Sequence, residues 1–226
     1  MTNVIELVKD RFENAQIFDN DDNDAIIPVN YMLDPASKIM FVVGTNASGK
    51  SVVGKIVEYV SKDANLAKRS CSMRNRTSGM LGQMMIFGSE EDSSTGQNSV
   101  KAAVNGINTT VSEQNSVLIL DEPDLGLADE YSAAMGQLIA QKVNEHYDNI
   151  GLFVVITHSR RLLEAALAEL TTPYSSVYVG DASVSFDDWM KQPFVPATVE
   201  DLINLRQKGI DTWRRIENMQ APSEEG

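Results

Sequence analysis

The sequence predicts an α/β domain with a mainly parallel sheet flanked by helices, and three observations lead to that reading. Short apolar runs rich in β-branched residues recur at Lys38 to Val43, Val117 to Leu120 and Leu152 to Thr157, the form a strand takes when both its faces are buried. Each run is followed by a stretch with helical apolar spacing, and strands alternating with helices build βαβ units whose strands run parallel. The first run passes into its helix through a glycine-rich loop. At 226 residues the chain is long enough for one sizeable core and short for two, so a single domain over residues 1–219 is expected, with a frayed tail at 220–226.

Taken in order, Val4 to Phe12 has helical spacing, and the acidic run Asp19 to Asp24 reads as a solvated turn. A calcium loop is excluded there, because Asp24 and Asn30 stand where that pattern needs its Gly and its final Glu. Ile26 to Leu33, with Pro28 near its start, reads as an edge strand, and Asp34 to Ser37 turns the chain into the first buried run. Beyond the loop at Gly44 to Ser51, the residues Val53, Ile56, Val57 and Val60 fall on one helical face. The polar stretch Ala64 to Asn98 is assigned short strands near Ser70 to Met73 and Met84 to Phe87, and Val100 to Val111 is a helix. Helices at Tyr131 to Tyr147 and Arg160 to Leu170 flank the third buried run. Ser176 to Val179 and Ser183 to Phe186, separated by Gly180-Asp181, read as a hairpin, and Val199 to Met219 as a closing helix.

Composition narrows the function classes. With 42% hydrophobic and 23% charged residues the chain is neither disordered nor fibrous. No apolar run approaches the ~20 residues that cross a bilayer, and Glu6, Lys9 and Asp10 interrupt any signal-like segment, so a soluble, cytoplasmic protein without a membrane partner is expected. The lone cysteine, Cys71, excludes an internal disulfide and a cysteine zinc cage, and reads as an incidental thiol. A net charge of −13 repels nucleic acid at long range. The basic cluster Lys68, Arg69, Arg74 and Arg76 lacks interleaved aromatics for base stacking and reads as a solvated strand edge and loop.

The chemistry concentrates at strand ends. Gly44-Thr45-Asn46-Ala47-Ser48-Gly49-Lys50-Ser51 fits the phosphate-loop pattern G-x-x-x-x-G-K-[ST] without mismatch, between a predicted strand and a predicted helix. Glycines there let backbone N–H groups converge on phosphate oxygens, and the helix N-terminus adds its positive dipole end. Lys50 is then the β- and γ-phosphate ligand and the Ser51 hydroxyl a magnesium ligand, so the fold expected is of the P-loop NTPase type, holding ATP and Mg2+. Asp121 ends the second buried strand, at the edge where a parallel sheet binds ligands, and is expected to hold the metal directly or through water; Glu122, one residue on, is the candidate to polarise the attacking water. His158 closes the third strand at the same edge and is expected, as a neutral imidazole, to read the γ-phosphate; His146 is expected on a helix surface.

These residues resemble the ATP-binding-cassette (ABC) ATPases. Asp121-Glu122-Pro123 followed by Leu125-Gly126-Leu127 is similar to that family's Walker B and D-loop segment, and His158 matches its switch histidine. Ser93-Ser94-Thr95-Gly96-Gln97 resembles the Leu-Ser-Gly-Gly-Gln signature, with Ser93 for the Leu and Thr95 for the first Gly. The resemblance implies a head-to-tail, ATP-dependent homodimer in which Ser94, Gly96 and Gln97 contact the nucleotide held by the other copy. It also implies a glutamine-loop residue, for which Gln83 is the candidate metal contact, and an adenine-stacking aromatic, for which Phe18 is weighed against a plain core or surface role. The chain departs from transporters in two ways. The interval between loop and signature is much shorter, which implies a reduced helical subdomain. Ala128 replaces the D-loop aspartate, and the Leu-Gly-Leu pattern is closer to the soluble relatives that serve DNA repair and phage defence. The expected function is ATP hydrolysis with ATP-dependent dimerisation that drives or gates a partner. Two alternatives are a scaffold of low turnover that docks a protein effector, and a DNA-associated ATPase using Lys68, Arg69, Arg74 and Arg76.

Overall fold

A computed structural model of the chain describes residues 3–18, 25–72 and 94–220. Its strands are β1 (Val29–Met32), β2 (Ile39–Gly44), β3 (Lys68–Ser72), β4 (Ser116–Asp121), β5 (Ile150–Ile156) and β6 (Ser175–Val179). They form one six-stranded sheet in the order β1-β6-β2-β5-β4-β3. Five run parallel, and β1 lies antiparallel on β6 at the edge, as the proline-bearing stretch predicts. The helices are α1 (Val4–Asn14), α2 (Lys50–Asp63), α3 (Thr95–Val111), α4 (Asp129–Glu145), α5 (Arg160–Glu169), α6 (Phe186–Lys191) and α7 (Val199–Gln220). The α/β architecture with a mostly parallel, helix-flanked sheet is therefore the one the sequence predicts. Among the described residues no helix is long and apolar enough to cross a membrane.

Every residue of β2, β5 and β6 is buried, because helices cover both sheet faces. Alternate side chains along β2 consequently enter two different cores. Met40 and Val42 meet α1 and α2 through residues such as Phe12, Val53 and Val57, in a layer that Ile216 of α7 joins. Ile39, Phe41 and Val43 meet the other layer, where Ile107, Ile139, Leu163 and Trp189 come from α3, α4, α5 and α6. Within that second layer α4 and α5 approach so closely that a Cβ on Gly136 would stand 2.0 Å from the Leu162 carbonyl oxygen.

Three expectations are corrected or bounded. Ser183 to Phe186 is no strand. Both edges of β6 are occupied, by β1 and by β2, so a hairpin partner has no place to pair. The local polar residues take the backbone elsewhere: Asp181 accepts from the Ser183 N–H, and the Ser185 hydroxyl caps α6 by accepting from the Asp188 N–H. Phe18 is a core residue, 4% exposed and packed at a tilt against Phe12 with 4.9 Å between centroids, and offers no face to a ligand. The expected strand at Met84 to Phe87 lies outside the described residues, as do Gln83, Arg74, Arg76, Ser93 and the Asp19 to Asp24 run.

Parallel pairing gathers the carboxyl ends of the strands along one edge. Gly44 is in register with Val179, Asp121 with Ile156, and Ser72 with Asp121. The loop after β2, the carboxylates after β4 and the histidine after β5 thus leave the sheet side by side, with β5 between the other two.

Candidate functional site at the strand ends

The loop from Gly44 to Ser51 has the backbone that its glycines permit. Gly44 has φ +146°, and a Cβ there would stand 2.2 Å from the Val179 carbonyl oxygen, so β6 itself excludes a side chain. Gly49, at φ +104°, is the N-cap of α2 and brings no side-chain acceptor to the helix's first turn. Those N–H groups point out of the helix end, with the positive end of the dipole, as an anion receptor. The Lys50 side chain folds back over the loop: its Nζ donates to the carbonyls of Gly44 at 2.9 Å and Thr45 at 2.7 Å, and the residue is only 8% exposed. The Ser48 hydroxyl is buried and makes no hydrogen bond among the described residues.

At the end of β4, Asp121 accepts a hydrogen bond from the Ser72 hydroxyl through Oδ2 at 3.1 Å. Sequence reasoning gave Ser72 no role; its signal was its place at the last position of a strand next to the acidic one. Glu122 follows in the left-handed region at φ +54°, uncommon for a residue with a Cβ. Its N–H donates to the Ile156 carbonyl at 2.8 Å, which pins that strained turn to β5. Its Oε1 lies 3.6 Å from Nδ1 of His158.

His158 is aimed by its neighbour. Thr157 is fully buried; its N–H donates to the Val42 carbonyl, and its hydroxyl donates to Asp124 at 3.3 Å and accepts from the Ser159 N–H at 2.9 Å. The polar contact with Glu122 raises the His158 pKa, desolvation pulls against it, the Glu122 charge adds to the rise, Lys50 lowers it and Asp124 raises it. Its proton affinity is therefore above that of the ordinary neutral imidazole expected from sequence.

Lys50, Ser51, Asp121 and Glu122 line one cleft of about 890 Å³, within the size range of small-molecule sites. Its far wall is α7, through residues including Leu205, Arg206, Ile210 and Trp213. Reading the sequence missed this wall. The available signal was the small and apolar series Leu205, Gly209, Thr212 and Ile216 at spacings of three and four.

Ser94, Gly96 and Gln97 are not on that cleft. They line a separate groove with Gly126, Leu127, Ala128 and Tyr131. Ser94 caps α3 in a reciprocal box with Gln97, whose Oε1 accepts from the Ser94 N–H at 2.8 Å. Gly96 sits on Gly126, since a Cβ there would be 2.6 Å from the Gly126 carbonyl oxygen.

Elsewhere, Arg69 pairs with Glu113 at 2.6 Å and Lys68 lies 3.9 Å from Glu58, so the described half of the basic cluster already faces carboxylates. Burial pushes the Cys71 thiol up, against a smaller lowering from Arg69, as suits an inert cysteine. His146 ends α4 as its C-cap, part-exposed beside Glu145. Among the described residues no three His, Cys, Asp or Glu gather as a metal cage. No protein-family model, curated protein or solved structure matches the chain.

Proposed function

We propose that this chain is an ATPase of the kind its motifs resemble, binding and hydrolysing Mg-ATP in the cleft between the glycine loop and the acidic end of β4, and pairing with a second copy when ATP is bound. The observation that carries the reading is the meeting of Lys50, folded over a glycine loop at a helix N-terminus, with Asp121 and Glu122 on one cleft wall. A triphosphate fits the loop because backbone N–H groups, a helix dipole and an ammonium all favour negative charge there.

The donor set suits magnesium, which takes one or two protein oxygens and completes its shell with water and phosphate. Ser51 and Asp121 would hold it, with Ser72 fixing the orientation of the Asp121 carboxylate. Bound there, the metal supplies neutralisation of charge on the phosphate oxygens. Lys50 adds a second positive charge once its ammonium turns from the loop carbonyls to phosphate.

Glu122 is the base. Its carboxylate accepts a proton from water as the water oxygen bonds to the γ-phosphorus, and the bond to the β–γ bridging oxygen breaks with its electron pair leaving on ADP. In its imidazolium form His158 would face Glu122 through Nδ1 and donate from Nε2 to the γ-phosphoryl oxygens. Ser94 and Gln97, exposed and away from their own chain's cleft, would face a nucleotide on a second copy, beside Gly96, which is buried against Gly126.

Calorimetry with Mg-ATP tests the reading. Wild-type chain should bind with measurable heat and Lys50→Ala should lose at least about tenfold in affinity, as a charge-assisted phosphate contact predicts. No heat with wild type ends it.

A second reading, a nucleotide-gated scaffold of low turnover that docks an effector protein, draws on the exposed apolar residues Phe194, Val195, Val199, Leu202 and Ile203 leading into and along the start of α7. ATP turnover measured with and without candidate effectors separates the two. The ion pairs of Lys68 and Arg69 weigh against a DNA-associated role.

A further inference from the structure

The cleft has an aromatic wall that the motifs do not account for. Helix α7 lies along α2: a Cβ on Gly209 would be 3.9 Å from that of Ala47 in the loop, and the Lys55 ammonium stands 4.2 Å from the centroid of the Trp213 ring. These two contacts advance together, along α7 and from the loop into α2, and Ile216 then anchors α7 in the core of the α1 and α2 layer. Trp213 is 46% exposed and is the aromatic residue on the cleft lining.

Position and chemistry divide the cleft into two ends. Lys50, Ser51, Asp121 and Glu122 make a charged end at the first turn of α2. Lys55 is five residues further on, about 7.5 Å along the axis at ~1.5 Å per residue. There Trp213 and Ile210 lie among Thr212, Arg214 and Glu217, an aromatic face with a polar and charged rim, within reach of a group tethered to the phosphates. A flat, apolar heterocycle with a polar rim is the chemistry that such an end recognises, and an indole face binds it by stacking. Lys55 already fixes the ring by a cation–π contact, which lowers the entropy lost when a ligand settles on it.

We propose that α7 forms the nucleoside subsite of this cleft, with Trp213 stacking on the base. The proposal rests on the phosphate site proposed above and adds the half of the ligand which that site does not read. It makes α7 part of the binding site, so nucleotide occupancy and the seating of α7 are one equilibrium.

The test compares Mg-ATP with Mg-tripolyphosphate, which has the phosphates and no nucleoside, by calorimetry on the full chain. Trp213→Ala should weaken Mg-ATP by about tenfold or more, leave tripolyphosphate unchanged, and be largely rescued by Trp213→Phe. In a Trp189→Phe background, where Trp213 is the remaining tryptophan of the two, Mg-ATP should change the emission and tripolyphosphate should not. Equal Mg-ATP affinity in wild type and Trp213→Ala overturns the subsite and leaves the phosphate site standing. Equal weakening of both ligands also overturns it, since Trp213 would then only shape the cleft. Wild type that binds neither ligand overturns the phosphate site and the subsite together.

Discussion

Nδ1 of His158 stands 3.6 Å from Oε1 of Glu122, and the contact with this carboxylate raises the affinity of the imidazole for its proton. The folded-state pKa of His158 therefore lies above the ordinary value of about 6.5. The pair stabilises the fold fully below that ordinary value, and its contribution is lost as pH rises through the raised one. An NMR titration, with His146 assigned through its own variant, should find His158 titrating above 6.5 and moving down in Glu122→Gln. A wild-type His158 titrating at or below 6.5 would contradict the contact.

Glu122→Gln keeps the shape of the side chain and removes the proposed base. ATP turnover should fall by about 10²-fold or more, the usual weight of a general base, with Mg-ATP affinity retained. On the dimer reading, light scattering of this variant with Mg-ATP should give twice the mass seen without nucleotide. Turnover at the wild-type rate would remove Glu122 from the reaction.

The backbone of Glu122 gives a separate expectation. A left-handed φ of +54° costs a residue with a Cβ roughly 1–2 kcal/mol, against a loss of about 0.4–1 kcal/mol for the greater freedom of glycine when unfolded. Glu122→Gly should thus match or exceed wild type in urea stability by up to about 1.6 kcal/mol while losing turnover. That combination marks strain kept for function. A destabilisation of about 2 kcal/mol would show that the side chain carries more of the fold than its backbone costs.

Ser72→Ala removes the hydroxyl that donates to Asp121 at 3.1 Å. Loss of a group that orients a metal ligand costs about 10- to 100-fold in metal affinity. Half-saturating magnesium for turnover should rise about tenfold, with Ser72→Thr close to wild type. An unchanged magnesium dependence would reduce Ser72 to strand pairing.

Gly136→Ala sets two magnitudes against each other. Alanine gains about 1 kcal/mol of helix propensity over glycine, but its Cβ would sit 2.0 Å from the Leu162 carbonyl, a backbone atom that moves only if α5 moves. Overpacking of that kind costs about 1–3 kcal/mol, so a net loss is expected in the urea midpoint. A gain would mean the two helices separate freely.

Much of this was legible in the sequence because it follows from local rules. The runs at Lys38, Val117 and Leu152 declare buried strands by being apolar throughout, and the glycine loop carries its own spacing. Since parallel strands end at one edge, Lys50, Asp121, Glu122 and His158 could be grouped before any coordinate was known. The mistaken hairpin arose from a rule of the same local kind. Gly180-Asp181 is good turn chemistry, but pairing is decided by which edges are vacant, and β1 had already claimed β6 from more than a hundred residues away. Trp213 escaped notice for the same reason: its periodicity announces a helix, and nothing in it says that the helix returns to Ala47.

Gly96 seated on Gly126 has a mechanical consequence. With backbone against backbone and no side chain to compress, the turn that leaves the acidic strand and the first residues of α3 cannot slide independently. A displacement of the chain just past Glu122 reaches Gly126 within four peptide units and pushes directly on the start of that helix. On the proposed reading, the chemistry of one copy would thereby tug at the surface offered to its twin, without any messenger beyond two touching glycines.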